Sequence, residues 1–236
     1  MIDFFIQENT GFTPFTLQHA TVLLIIFIFG VVLIQWAKKQ SEKIQIRTGN
    51  ALAIFISSTV ILEISAKIYL GKFDIQENLP LHLCNFFGLL IPILSFKRSY
   101  LHYELTFFLI LTGTFQGVVT PVSFDFMNVY FLRYWAVHGG LVVFMMYATF
   151  IYKMRPTLKS VWKSFLGMQI YMVLMFTINY FLESNYFYTN RKPDAASLLD
   201  LFGDWPYYVL VVELIVIPYF LLIYLPFYLT RNKVKS

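Results

Sequence analysis

Long apolar runs, separated by short polar stretches, repeat along the chain. A helix needs roughly 20 residues to cross a hydrocarbon core. Seven runs qualify, at about 15–37, 49–71, 79–96, 101–121, 128–152, 160–183 and 205–229. Membrane-crossing strands would be shorter and would alternate polar with apolar positions, which these runs do not. The expected fold class is therefore all-α: a polytopic membrane helix bundle, in one domain covering residues 1–236. No internal repeat suggests an inverted-repeat transporter.

Composition points the same way. Hydrophobic residues make up 58% of the chain and charged residues 13%, against about 25% charged in a soluble domain. One globular core could not hide so much apolar side chain, so lipid must be part of the solvent. The net charge of +5 does not imply nucleic acid, because the basic residues sit in short runs between the spans. Lys38, Lys39, Lys43 and Arg47 follow the first span, and Lys97 and Arg98 the third. Lys153, Arg155, Lys159 and Lys163 surround the turn after the fifth, and Arg231, Lys233 and Lys235 follow the last. These thirteen lie on one side, whereas the other side carries Lys72, Arg191 and Lys192 against nine acids. By the positive-inside rule the N-terminus is expected outside and the C-terminus in the cytoplasm, in a multi-pass protein of the cell membrane. Asp3 and Glu8, with no Lys or Arg in residues 1–14, oppose a cleavable signal peptide.

The longest loop, 184–204, falls on the outer side. Its stretch Ala195–Phe202 suits a short interfacial helix, unless the loop is merely a connector. Asp204 resembles an N-cap for the last span, with Trp205 as interface anchor and Pro206 in the first turn.

Ionisable side chains inside a span are costly and usually face the bundle interior or a watery cavity. At about 1.5 Å per residue, His19, Lys67, Glu63, His82, Cys84 and Gln116 lie roughly 4–12 Å below the outer end of their spans. Arg133, His138, Asn179 and Glu213 lie about 6–15 Å deep. Glu104 and His102 alone approach the cytoplasmic rim. Polar residues from six or seven spans thus gather in the outer half, and the carboxylates Glu63 and Glu213 match the cations Lys67 and Arg133 in number. A polar pocket opening toward the outer leaflet is expected. The competing reading is a set of ion pairs that fix helix packing, and Glu63 with Lys67 has the i, i+4 spacing of a local pair.

Cys84 is the single cysteine, which excludes an internal disulfide and a Cys-rich metal cluster. A buried thiol is usually inert. Near a helix N-terminus and cations, however, it can become nucleophilic. On a regular helix His82 and Cys84 would point about 200° apart. That favours His138, which arrives from another span with Gly139 and Gly140 leaving room beside it, as the base. His19, His82, His138 and Glu63 lack metal-ligand spacing, so no metal is expected. No P-loop, GxGxxG or GxSxG motif occurs.

Several segments carry a resemblance. They are Leu79-Pro80-Leu81-His82-Leu83-Cys84, then Gly113-Thr114-Phe115-Gln116-Gly117 with Thr120-Pro121, and Tyr134-Trp135-Ala136-Val137-His138-Gly139. Asn185-Tyr186, Lys192-Pro193, Leu198-Leu199-Asp200, Gly203 and Trp205-Pro206 complete the set. Together they resemble the YwaF-type family of bacterial integral membrane proteins over most of the chain. That family looks related to vertebrate transmembrane protein 164, a cysteine-dependent phospholipid acyltransferase. The resemblance implies an acyl-thioester mechanism with Cys84 in the nucleophile position.

The leading expectation is an acyltransferase acting on glycerophospholipids of the outer leaflet. Cys84, His138 and His82 are the candidate catalytic residues. Gln116, Arg133, Lys67, Glu63, Asn179 and Glu213 are the candidate substrate-binding residues. Gln116 or Arg133 would stabilise the oxyanion, and Lys67 or Arg133 would hold the phosphate. Membrane phospholipids are the expected partners, with no soluble cofactor and no nucleic acid. The alternatives are a transporter or a lipid- or small-molecule-binding protein, favoured by Pro92 and Pro218 within spans, and a structural partner subunit.

Overall fold

A computed structural model describes residues 12–121, 129–193 and 197–231. The described residues form an all-α bundle. Its elements are α1 (Leu17–Ala37), α2 (Glu42–Tyr69), α3 (Leu83–Lys97), α4 (Tyr100–Leu109), a π-helical turn (Ile110–Thr114), α5 (Phe115–Val119), α6 (Val129–Phe150), α7 (Leu158–Leu182) and α8 (Tyr207–Leu229). Short 3₁₀ turns at Tyr186–Tyr188 and Leu198–Phe202 punctuate the loop before α8.

Five helices, α1, α2, α6, α7 and α8, are long and apolar enough to cross a membrane. The third expected span is shorter than the sequence suggests. Helix α3 has 15 residues, because Leu79–His82 forms a turn instead of a helical end. The fourth expected span is composite, running from α4 through the π turn into α5. Helix α2 starts at Glu42, earlier than expected, and so carries Lys43 and Arg47 in its first turns.

Burial identifies the centre of the bundle. In α6, 56% of the apolar window is buried inside the protein, against 11% in α1 and 17% in α8. Helix α6 packs against α1, α2, α3 and α5, whereas α1 and α8 turn most of their surface outward. Exposed side chains such as Phe27, Val32, Leu214 and Leu222 suit a lipid solvent, in which apolar surface carries no hydrophobic penalty. Residues projecting from α6 are therefore the ones most shielded from lipid.

Local chemistry sets the helix ends. Thr16 caps α1 by accepting the His19 N–H, and Thr157 with Ser160 forms a reciprocal capping box at α7. Arg98 in the left-handed region (φ 46°) turns α3 into α4, where Ser99 caps the next helix. At the same end of the bundle the buried Glu104 accepts from Ser160 Oγ at 2.8 Å and pairs with Lys163. Arg155 donates to the Phe227 carbonyl at 2.8 Å, placing a cation at the C-terminal end of α8, where the helix dipole favours it.

The start of α8 departs from expectation. The helix begins at Tyr207 with Pro206 as N-cap. The Asp204 carboxylate pairs with Lys192 at 3.1 Å, while its backbone carbonyl accepts from Tyr207 N–H at 2.7 Å. Of the expected interfacial helix, Leu198–Phe202 forms a 3₁₀ turn, and Ala195 and Ala196 lie outside the described residues.

Candidate active site

The site begins at the turn before α3. Two tyrosines from distant parts of the chain hold this turn. Tyr171 of α7 donates to the Leu81 carbonyl at 2.6 Å. Tyr186 of the loop between α7 and α8 donates to the Ile75 carbonyl at 2.6 Å and accepts from the Leu79 N–H at 2.9 Å. His82 is consequently the N-cap, with extended backbone (φ −70°, ψ 139°). It does not share a helix with Cys84, so the 200° separation expected for a regular helix does not apply. The His82 ring instead packs against Tyr186 and Tyr188, at centroid distances of 5.4 and 4.9 Å, and its buried Nδ1 has no hydrogen-bond partner among the described residues. Cys84, the second residue of α3, is half-buried. It lies where the first backbone N–H groups of a helix lack intrahelical acceptors.

The π turn stands opposite. A π segment inserts one residue into a helix and often marks a functional site. Here it places Thr114 beside Cys84. The buried Thr114 hydroxyl has no well-formed hydrogen bond, yet it is close enough to act on the thiol. Gly113 and Gly117, one helical turn apart, flank it. A Cβ on Gly113 would lie 2.7 Å from Leu83 Cδ2, and one on Gly117 would lie 2.6 Å from His138 Cδ2. Small residues at this spacing let helices approach closely. This stripe therefore meets the start of α3 on one side and the His138 ring on the other.

Helix α6 supplies the charged and basic groups. One Arg133 guanidinium nitrogen bonds Glu63 at 2.6 Å and Asn85 at 2.5 Å. Glu63 also pairs with Lys67 at 3.4 Å. Both cations thus converge on Glu63, including the i, i+4 partner Lys67. Glu213 accepts from Gln169 at 2.6 Å. His138, one turn beyond Arg133, bonds the Tyr134 carbonyl through Nδ1 at 2.9 Å and stacks on the Tyr134 ring.

These groups share a cavity of about 600 Å³, within the size range of small-molecule binding sites. Of the residues expected to form the site, His82, Cys84, Gln116, Arg133, His138 and Glu213 line it. Gln116 donates to Thr120 at 2.8 Å. Glu63, Lys67 and Asn179 are not in the lining. Glu63 and Lys67 stand behind Arg133, as the ion-pair reading allowed. Asn179 is buried in the last turn of α7, where it bonds Tyr186 N and O, Thr189 and Ser184 of the following loop at 2.7–2.8 Å. It holds the 184–189 segment of the loop in place. His19 likewise serves packing, since its Nε2 bonds the Val118 carbonyl at 2.9 Å.

The loop is more than a connector, because Phe187, Tyr188, Pro193 and Leu198 cover one side of the cavity. Met168 and Met172 of α7, with Val212 and Val216 of α8, form apolar wall. The sequence assigned no role to Thr114 or Tyr134, though both stand in the segments quoted above, and did not single out Tyr188 or Gln169. The Gly113–Gly117 spacing was a legible pointer to the first two; nothing local marks the others. Among the described residues, no three His, Cys, Asp or Glu side chains converge as a metal-ligand set.

Fold and site together define a multi-pass helical membrane protein with a cavity that holds a thiol, an imidazole and a guanidinium. A family model matches residues 14–224. The chain belongs to the TMEM164 family. No curated protein and no solved structure matches it.

Proposed function

We propose that the protein is a membrane-embedded acyltransferase that passes a glycerophospholipid acyl chain through a thioester on Cys84. The observation that carries the reading is the joint presence of Cys84 and His138 in one largely apolar-walled cavity, on either side of the Gly113–Gly117 stripe. A carbonyl oxygen only accepts, so the bond to Tyr134 makes His138 Nδ1 the donor and leaves Nε2 as the basic nitrogen.

The thiol proton passes to His138 Nε2 as sulfur attacks the acyl carbonyl. The ester C–O bond breaks, and the leaving alkoxide takes the proton, departing as lysolipid. In the second half, Nε2 removes a proton from the acceptor hydroxyl, whose oxygen attacks the thioester. The C–S bond breaks and the proton returns to the thiolate. Arg133, whose charge acts on Cys84, stabilises the thiolate and the oxyanion, with Gln116 as a neutral donor on the wall. Arg133 and Asn85 also suit a lipid phosphate, and Glu213 offers a polar point on the α7–α8 side. The reaction needs no soluble cofactor.

In this reading α1, α2, α3, the α4–α5 composite, α6, α7 and α8 make seven crossings of the cell membrane, with the N-terminus outside. The cavity then lies in the outer half. The decisive experiment incubates purified protein with labelled phospholipid and lysolipid, beside Cys84→Ala and Cys84→Ser. Transfer by wild type, an acyl adduct on its thiol, and loss of both in Cys84→Ala are expected. Full activity in Cys84→Ala would remove the thiol from the mechanism. No turnover by folded wild type would favour a binding or transport role for the same cavity.

A further inference from the structure

Helix α5 ends at a proline. Pro121 has no N–H, so the Gly117 carbonyl four residues earlier cannot find its helical partner. The next carbonyl, Val118, stands in the last turn as well. Side chains from other helices satisfy both. Tyr134 Oη donates to the Gly117 carbonyl at 2.6 Å, and His19 Nε2 takes the Val118 carbonyl at 2.9 Å. The end of α5 is thereby tied to α6 and α1.

Tyr134 also touches His138 twice, through its carbonyl and its ring. The two rings stack with centroids 3.9 Å apart at an interplanar angle of 21°. Gly117 closes the other side, since a Cβ there would come within 2.9 Å of His138 Nε2 and 3.0 Å of Tyr134 Oη. The imidazole thus has its Nδ1 on a backbone carbonyl, one face on a phenol ring and its Nε2 edge beside a glycine.

We propose that Tyr134 is a positioning residue for His138: by anchoring its hydroxyl on the orphaned Gly117 carbonyl, it holds the imidazole in the rotamer that keeps Nδ1 protonated and Nε2 basic beside Gly117 in the cavity wall. This rests on the assignment of His138 as the base. The ring nitrogen that carries the proton is set by the hydrogen bond the other makes. A ring free to turn would lose the Nδ1 bond and expose either nitrogen. The anchor is on the fourth expected span and the base on the fifth, so the contact also fixes the distance between the stripe and the imidazole.

The test uses full-length protein in nanodiscs. Tyr134→Phe keeps the stack and removes the anchor; Tyr134→Leu removes both. The expected losses in kcat are about tenfold and about a hundredfold, with KM near wild type. Nitrogen-15 histidine spectra, assigned through His138→Gln, supply a readout independent of turnover. Wild type should show the Nδ1-protonated tautomer, and Tyr134→Leu a mixture. Should Tyr134→Leu not fold, the Phe variant still decides by its kcat. Wild-type kcat in Tyr134→Phe, or an Nε2-protonated His138 in wild type, overturns the proposal. An inactive wild type would sink the acyltransferase reading instead, and the spectra would still judge the positioning of the ring.

Discussion

Arg133 and Glu63 form a 2.6 Å ion pair behind the cavity, and the guanidinium nitrogen that makes it also bonds Asn85 at 2.5 Å. The pair connects α2 and α6, and Asn85 adds α3, so one side chain joins three helices where Cys84 begins. Removing one partner of a shielded pair leaves an uncompensated charge, at a cost of about 3–5 kcal/mol. Glu63→Gln should therefore lower the unfolding midpoint in detergent markedly. Arg133→Lys should do so too, because an ammonium cannot reproduce the planar fork. Lys67→Ala should be mild, since its 3.4 Å contact is the longer one and the Glu63–Arg133 pair survives it. A thermal melt of the three variants checks the order. Equal effects would show that the two cations share the load.

Gly117 is the residue at which a single methyl should separate stability from activity. A Cβ there meets Cδ2 of His138 at 2.6 Å. The neighbour that must move is the candidate base, whose ring already rests on Tyr134. Overpacking of this kind costs about 1–3 kcal/mol, which a multi-helix bundle can survive. Gly117→Ala is expected to fold and to lose most of its transfer activity. Gly167→Ala makes a useful control. Its Cβ would meet only Leu105 Cδ2 at 3.3 Å, the far end of a flexible side chain. Activity and melting point of the two variants, measured together, provide the check.

Much of the architecture was legible in the sequence. Apolar runs longer than 20 residues announce α1, α2, α6, α7 and α8, because burial in lipid needs no partner to make an apolar helix favourable. The candidate site was legible in part: Cys84, His138, Arg133, Gln116, His82 and Glu213 do meet at one cavity. What escaped depends on contacts far apart in the chain. The turn that shortens α3 is held by tyrosines 90 and 107 residues away, which no local pattern reports. The same applies to Glu63, which takes both cations while Glu213 goes to Gln169. Depth along a span says how far a side chain lies from the interface, but not which way around the helix it points.

The loop between α7 and α8 should respond to alkaline pH through Tyr186. Asn179 holds its backbone N–H and carbonyl, each at 2.8 Å, and its hydroxyl bridges Ile75 and Leu79. Burial pushes this phenol above its ordinary value of 10.0, and the carboxylates of Asp74 and Glu77 push in the same direction, against the Leu79 N–H. The neutral form is the one that donates to Ile75. A raised folded pKa means that the stabilisation is whole below the unfolded value and is lost as pH rises through the folded one. Tyr186→Phe lacks the bridge at every pH. The stability gap between wild type and Tyr186→Phe should thus be constant from neutral pH to about 10 and shrink beyond it. A gap that narrows at lower pH would place the transition on another group.

The π turn at Ile110–Thr114 permits a sharper test of how the site is built. It amounts to one extra residue in an otherwise helical run, with helix on both sides. Deleting Leu111, which is only partly buried, should let α4 continue as regular helix into α5. Helix–helix packing on either side needs little adjustment, and the relief of irregular backbone favours folding. The unfolding midpoint is accordingly expected to hold or rise. Thr114 and Gly113, however, would lose the bulge that sets them against Cys84 and Leu83. Transfer activity should fall about a hundredfold if Thr114 and the stripe position the thiol. Melting in detergent and lipid transfer on the same preparation measure both. A deletion variant that is stable and fully active would reduce the π turn to a packing accommodation and leave Cys84 dependent on the turn before α3 alone.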